Sequence, residues 1–207
     1  MDTPTLEIEL ALRAQGRNFV AGLDEAGRGA WAGPVVAAAV VLPLDRADLE
    51  QALDGVRDSK QLSPSVRDLL FEVIHQIALG VSVGVSAPAV VDRDGLIPAT
   101  HRAMRQALIR LSPQPAHLIL DHLRLTSISL PQVAFPKADA HSYSVAAASI
   151  VAKVTRDRLM CLLDGRYPGY GFARHKGYGT AAHRAALAAL GPSPIHRMSF
   201  APLSPFL

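Results

Sequence analysis

Phe19-Val20-Ala21-Gly22-Leu23-Asp24-Glu25-Ala26-Gly27-Arg28-Gly29 begins as a short apolar run and ends in two acids and a glycine-rich turn. Residues 19–23 read as a buried strand leading into Asp24. Gly27, Gly29 and Gly33 with Pro34 make the bend, and the apolar run over residues 35–42 follows as the return strand. The chain therefore opens like a hairpin with its polar residues at the bend.

Further along, Ser63 before Pro64 reads as the cap and first position of a helix through Leu69, Leu70, Val73, Ile74 and Ile77, which Gly80 can stop. A strand over residues 81–86 follows, then a helix over residues 98–111. Residues 117–121 form a buried strand ending in a carboxylate, and residues 132–135 a shorter one. Residues 141–164 give a helix apolar on nearly every face. The last helix starts near Thr180 and ends at Gly191-Pro192, before a Pro-rich, irregular tail. Strands that interleave with helices imply an α/β fold, a mixed β-sheet flanked by helices, with a helical C-terminal part.

With 49% hydrophobic residues the chain can fill a sizeable core, which argues against disorder. Its single cysteine, Cys161, excludes an internal disulfide framework and a multi-cysteine zinc site. Residues 1–18 carry Asp2, Glu7 and Glu9 and lack the basic start and apolar block of a secretory signal. The longest apolar stretch, residues 35–44, contains Pro43 and is far shorter than the roughly 20 residues that span a bilayer. The expectation is a soluble, cytoplasmic protein with no membrane partner. Charge is distributed unevenly: up to residue 140 there are 13 Lys/Arg against 16 Asp/Glu, and from residue 141 onward 8 against 2. A basic C-terminal third suits a polyanion, although a solvated basic face has the same composition.

Three acidic positions stand where an extended segment meets a turn or helix: the pair Asp24-Glu25, Asp121 and Asp139. Strand ends of an α/β sheet are where side chains from distant parts of the chain converge. Two unit charges ~4 Å apart repel by about 4 kcal/mol at an effective dielectric of about 20, so converged carboxylates require protonation or a cation. Oxygen-only ligands favour magnesium or manganese over zinc. Singly, each acid also fits a structural role: a strand-end turn for Asp121, a helix cap or first-turn acid for Asp139, a polar turn for Asp24-Glu25. Side chains of adjacent strand residues point to opposite faces, so Asp24 and Glu25 share a site only if the strand breaks there.

Gly22-Leu23-Asp24-Glu25-Ala26-Gly27-Arg28-Gly29 resembles the opening signature of the ribonuclease HII family. Asp58-Ser59-Lys60-Gln61-Leu62-Ser63, Lys137-Ala138-Asp139, and Ala146-Ala147-Ala148-Ser149-Ile150-Val151-Ala152-Lys153-Val154-Thr155-Arg156-Asp157 continue the likeness in order. So do Tyr170-Gly171-Phe172, His175-Lys176-Gly177-Tyr178-Gly179-Thr180, and His196-Arg197 with Ser199-Phe200. The resemblance spans about residues 19–203. It implies one ribonuclease H-like domain over residues 1–207, with a catalytic core at about 18–165 and a basic helical region at about 166–207. It implies a four-acid site of Asp24, Glu25, Asp121 and Asp139, acting with Mn2+ or Mg2+. It further implies that Gly27, Arg28 and Gly29 read the ribose 2′-hydroxyl and that Tyr178 stacks on the neighbouring sugar.

The same resemblance implies an endonuclease on RNA/DNA hybrids and on DNA duplexes containing ribonucleotides. The enzyme would be a monomer with a replication or repair protein as a further partner. Lys60 is the expected phosphate contact, with Lys153, Arg156, Arg174 and Lys176 as further candidates. The chain departs from the family pattern at His122 and Ala138, where glycine is usual, at Ala30, where proline is common, and at Gly95, where asparagine is frequent. None of these removes an expected ligand. The competing readings are a non-catalytic basic RNA-binding module, a related metal nuclease with another substrate, and a histidine-based ribonuclease. Metal-dependent cleavage at a ribonucleotide separates them, and the eight histidines show no pairing with the strand-end acids.

Overall fold

The structure, a computed structural model, describes residues 3–206; Met1, Asp2 and Leu207, the ends of the expected domain, lie outside them. Its sheet has five strands: β1 (Val20–Ala26), β2 (Val35–Val41), β3 (Gly80–Ser86), β4 (His117–Asp121) and β5 (Gln132–Phe135). Their order is β3-β2-β1-β4-β5. β1 pairs antiparallel with β2, and β2 with β3, while β1, β4 and β5 run parallel. The hairpin and the mixed sheet read from the sequence are thus both present.

Among the described residues eight α-helices surround it: α1 (Glu7–Ala14), α2 (Leu49–Ala52), α3 (Pro64–Ile77), α4 (Pro88–Asp94), α5 (Leu96–Arg110), α6 (Tyr143–Arg166), α7 (Phe172–His175) and α8 (Ala181–Leu190). β2 is buried along its whole length because helices cover both faces, which is why it reads as a continuous apolar run. Its side chains alternate: Ala38 and Val40 pack with Ala146, Ala147 and Ile150 of α6, whereas Ala37, Ala39 and Val41 pack with Ala103, Met104 and Ala107 of α5. The small residues of α6 bring it so close that a Cβ on Gly22 would collide with the backbone of Ser144.

Ser63 caps α3 by accepting from the Val66 N–H (3.4 Å), and Thr180 caps α8 through the His183 N–H (3.2 Å). Ser142 does the same for α6 through Val145 (3.3 Å). Four local readings change. α3 ends because Ala78 turns extended, so Gly80 begins β3 instead of stopping the helix. α5 starts at Leu96, before Pro98, with the unanticipated α4 ahead of it and Gly95 at φ 89° between them. α1 has no sequence counterpart because a polar residue faces inward: Glu9 is fully buried and accepts from Ser142 Oγ (2.6 Å) and from Ser144 N–H and Oγ (3.0 and 2.7 Å). The tail forms a 3₁₀ segment over Ala201–Phe206. Among the described residues no helix is long and apolar enough to cross a membrane.

Candidate active site

Parallel pairing sets the geometry. Leu23 on β1 is in register with Leu120 on β4, so the next residues, Asp24 and Asp121, emerge side by side at the carboxyl ends of the two strands. Asp139 follows β5 in a 3₁₀ turn over Ala138–Ala140, and the Ala138 N–H donates to Asp121 Oδ1 (3.0 Å). Asp24, Glu25 and Asp121 line a cavity of about 620 Å³ together with Gly27, Arg28, Gly29, Lys60 and Tyr178. Asp121, Lys60 and Asp139 border a second cavity of about 370 Å³. The expected site residues are therefore gathered in one region.

The strand does not break at Asp24, contrary to the condition set from side-chain alternation: β1 stays paired with β2 through Glu25 and Ala26. Both acids still reach one cavity. Pairing with β4 ends at Leu23, which opens that edge, and Asp24 turns back to accept the Glu25 N–H (2.7 Å).

The charges are in tension. Asp24, 5% exposed, has its carboxyl held well above the ordinary range by burial and then by the neighbouring Glu25, with Asp121 and Asp139 adding to the repulsion. Burial also raises Glu25, against the pull of Arg28, whose Nη1 meets Glu25 Oε1 at 3.2 Å. Glu25 Oε2 is buried without a partner. Asp139 is pushed up to about 6 by burial, Asp58 and Asp121. Burial works against the charged form of Lys60, but Asp24, Asp58, Asp139 and Asp121 outweigh it and raise its ammonium. As the side chains lie, no three His, Cys, Asp or Glu among the described residues are grouped closely enough to grip an ion. Glu25 is bonded by Arg28 and Asp121 by the Ala138 amide.

Lys60 is placed by a short turn, Ser59–Gln61, whose first amide bonds run to Asp58 Oδ1 (3.0 Å) and to Ser149 Oγ (3.2 Å) on α6. Asp58, which shares the second cavity with Asp139, is a fifth acid that the sequence reading left in its Asp-Ser-Lys motif without a role. Gly27 has φ 92°, a left-handed conformation that favours glycine. Tyr178 is half-buried, with Arg156 Cζ 5.4 Å and Lys153 Nζ 5.7 Å from its ring centroid.

Arg156 is not free to contact phosphate. It is fully buried and donates to the carbonyls of Pro34 (2.9 Å), Ala32 (3.1 Å) and Lys176 (2.9 Å). Arg197, also fully buried, bonds Gly33 O through Nε (3.0 Å) and Nη2 (2.9 Å) and Arg28 O through Nη1 (2.8 Å). These two arginines fix the turn between β1 and β2, a role that sequence reading missed. Lys153 pairs with Asp157 (2.7 Å) while lining the site cavity, and Lys176 donates to Ala173 O. Arg174 and Lys176 border an adjoining cavity of about 630 Å³, which also reaches Lys153 and Tyr178.

The sequence model of the family Ribonuclease HII matches residues 21–203. The chain belongs to the ribonuclease HII family. Membership makes it a ribonuclease H, an endonuclease acting on the RNA of RNA/DNA hybrids. A ribonuclease HII of Chloroflexus aurantiacus is 53% identical over 200 residues, 97% of this chain and 94% of its own. That of Thermus thermophilus is 55% identical over 186 residues, 90% of this chain and 88% of its own. Among solved structures, ribonuclease H2 from Pyrococcus horikoshii OT3 superposes with a TM-score of 0.76 at 30% identity, covering 91% of this chain and 96% of that one. The ribonuclease HII of Archaeoglobus fulgidus, solved in complex with PCNA, gives 0.74 at 30% identity over 88% and 95%. The ribonuclease HII-like reading of the fold and of its motifs holds over nearly the full chain.

Proposed function

We propose that this ribonuclease HII is a divalent-metal-dependent endonuclease that also nicks duplex DNA on the 5′ side of embedded ribonucleotides, in ribonucleotide removal during replication and repair. The observation that carries it is the set of four acids, Asp24, Glu25, Asp121 and Asp139, drawn from three separate segments into mutual repulsion beside the unpartnered Glu25 Oε2. Burial and neighbouring carboxylates raise Asp24, Glu25 and Asp139, an arrangement that fits a hard cation, and an all-oxygen donor set fits Mg2+ or Mn2+. Such an ion supplies Lewis acidity, activating water and stabilising the leaving oxygen of a phosphodiester.

The remaining roles belong to the chain itself. Arg28, which pairs with Glu25 and lines the same cavity, carries its guanidinium where the substrate backbone would pass. Lys60 carries a strengthened positive charge beside the acids and suits the phosphate next to the cut. Gly27, Arg28 and Gly29 form a turn whose main chain approaches the ribose closely enough to read the 2′-hydroxyl, the group that distinguishes RNA from DNA. Tyr178, which lines the same cavity, stacks on the neighbouring sugar. Residues 18–165 and 166–207 work as core and basic extension of one domain. We place the enzyme in the cytoplasm as a monomer. Because its Archaeoglobus fulgidus relative was solved with PCNA, we extend to it a replication or repair protein partner.

Product analysis tests this reading. Duplexes with one ribonucleotide, with none, and with a continuous RNA strand are incubated with and without a chelator. Metal-dependent cuts leaving 3′-hydroxyl and 5′-phosphate ends support it. A 2′,3′-cyclic phosphate means that the 2′-hydroxyl is consumed as nucleophile, and rejects it.

A further inference from the structure

Behind Tyr178, three histidines of the C-terminal region, His175, His183 and His196, are buried together. His175 and His183 stack at 4.4 Å, and His183 and His196 face each other through their Nε2 atoms at 3.0 Å. Backbone groups settle which nitrogen carries each proton. The Ser193 N–H donates to His196 Nδ1 at 2.8 Å, so that nitrogen is an acceptor and the proton is on Nε2. The longer approach of Ser193 O to the same nitrogen (3.3 Å) is then incidental. His196 Nε2–H donates to His183 Nε2, which places the His183 proton on Nδ1. His183 Nδ1–H in turn donates to the Tyr178 carbonyl (3.0 Å). His175 is fixed in the same way, accepting from Gly177 N–H on Nδ1 (3.2 Å) and donating from Nε2 to Tyr170 O (2.8 Å).

We propose that His183 is a positioning residue for Tyr178: through a one-way chain from Ser193 through His196 and His183, it holds the Tyr178 carbonyl and so aims the ring into the site cavity. This rests on the reading of Tyr178 as the ring that meets the substrate. Tyr178 O also accepts from Thr180 N–H (2.8 Å), and Thr180 Oγ1 accepts from His183 N–H, so the loop closes on the first turn of α8. The chain needs His183 and His196 neutral, because a second proton on His183 would set two donors against each other at the Nε2 pair and one on His196 would face the Ser193 N–H at Nδ1. Burial, with His175 and His196 close by, lowers His183 to about 4, and burial lowers His196 too, so both are neutral at ordinary pH. From the other side, Trp31 of the turn between β1 and β2 fills the space that a Cβ on Gly179 would occupy. The loop is thereby held between the turn that faces the ribose and the histidine chain.

A double-mutant cycle tests it on a duplex with a single ribonucleotide. Tyr178→Ala should lower kcat/KM by about 5- to 150-fold, the range of a stacking contact. His183→Leu, which keeps the bulk and removes the donor, should lose about fivefold, as for one ordinary hydrogen bond. His183→Asn, whose amide can reach the same carbonyl, should recover most of that loss. In the Tyr178→Ala background, His183→Leu should add nothing. A silent Tyr178→Ala would refute the reading of Tyr178 as a substrate contact. A damaging Tyr178→Ala, with His183→Leu silent or fully additive to it, overturns the positioning role alone. The wild-type protein gives an independent check by nitrogen-15 imidazole spectra at neutral pH. Protons on Nδ1 of His183 and Nε2 of His196 support the chain, and a His183 proton on Nε2 contradicts it.

Discussion

Arg156 occupies the space that a Cβ on Gly27 would need, and its guanidinium ties that position to the carbonyls of Ala32, Pro34 and Lys176. The glycine and the arginine are one device: the missing side chain lets a buried cation pass beneath the turn that faces the cavity.

Gly27 and Gly29 should therefore respond differently to alanine. Gly27→Ala meets Arg156 and a φ of 92°, which together should cost about 1–3 kcal/mol and lower the melting temperature by several degrees. A Cβ on Gly29 meets nothing within 4 Å, so Gly29→Ala should melt like wild type. If Gly29 serves close approach of the ribose, that variant should still lose cleavage at a single ribonucleotide. Melting curves and cleavage rates for both variants check this, and a Gly29→Ala enzyme with full activity removes Gly29 from the recognition turn.

The acids should leave a pH signature in metal-free protein. Asp139 has a folded-state pKa raised to about 6 from an ordinary 3.8, so between those values the folded state binds more protons than the unfolded one. Its contribution destabilises above about pH 6 and fades as the pH falls toward 4. His183, lowered to about 4, acts in the opposite sense over its own range, so the comparison has to be between wild type and Asp139→Asn. With chelator present, the variant should melt higher than wild type at pH 7, and the gap should close by pH 4. Each 1 kcal/mol corresponds to about 2–4 °C for a chain of this size. A gap that grows on acidification contradicts the assignment.

His122 follows Asp121 with φ 58°, a left-handed conformation that is uncommon outside glycine. His122→Gly should relieve a cost of about 1–2 kcal/mol, partly offset by about 0.5–1 kcal/mol of chain entropy. The expected result is a melting temperature equal to wild type or up to a few degrees higher, with cleavage unchanged. A marked loss of stability would mean that the His122 side chain itself supports the strand end.

Much of the site was legible because strand ends announce themselves. Asp121 closes an apolar run, Asp24 follows one, and glycine clusters mark the turn. His122 was legible as a departure from pattern, and its left-handed backbone gives the reason glycine is usual there. Arg156 was misread as a phosphate contact because a cation beside Lys153 on a helix looks like surface. Only the crossing of α6 under residues 27–34 buries it. Glu9 disguised α1 for the converse reason, as an acid facing inward to bond the start of α6. The histidines gave no pairing with the acids, and among the described residues none of them is hydrogen-bonded to an Asp or Glu side chain. Three of them pair with one another and with nearby backbone carbonyls of the C-terminal region.

The central claim is that Asp24, Glu25, Asp121 and Asp139 hold the divalent ion on which cleavage depends. Its most direct test is single-turnover cleavage of an RNA/DNA hybrid by wild type, Asp24→Asn and Asp139→Asn across a titration of Mg2+ and Mn2+, with hybrid binding measured in parallel. An amide keeps the shape of each acid and removes the charge that attracts the ion. Cleavage should vanish in both variants and in chelator-treated wild type, while hybrid binding persists or tightens as repulsion of phosphate falls. Near-wild-type cleavage by either variant at limiting metal, or wild-type cleavage that survives excess chelator, would contradict it.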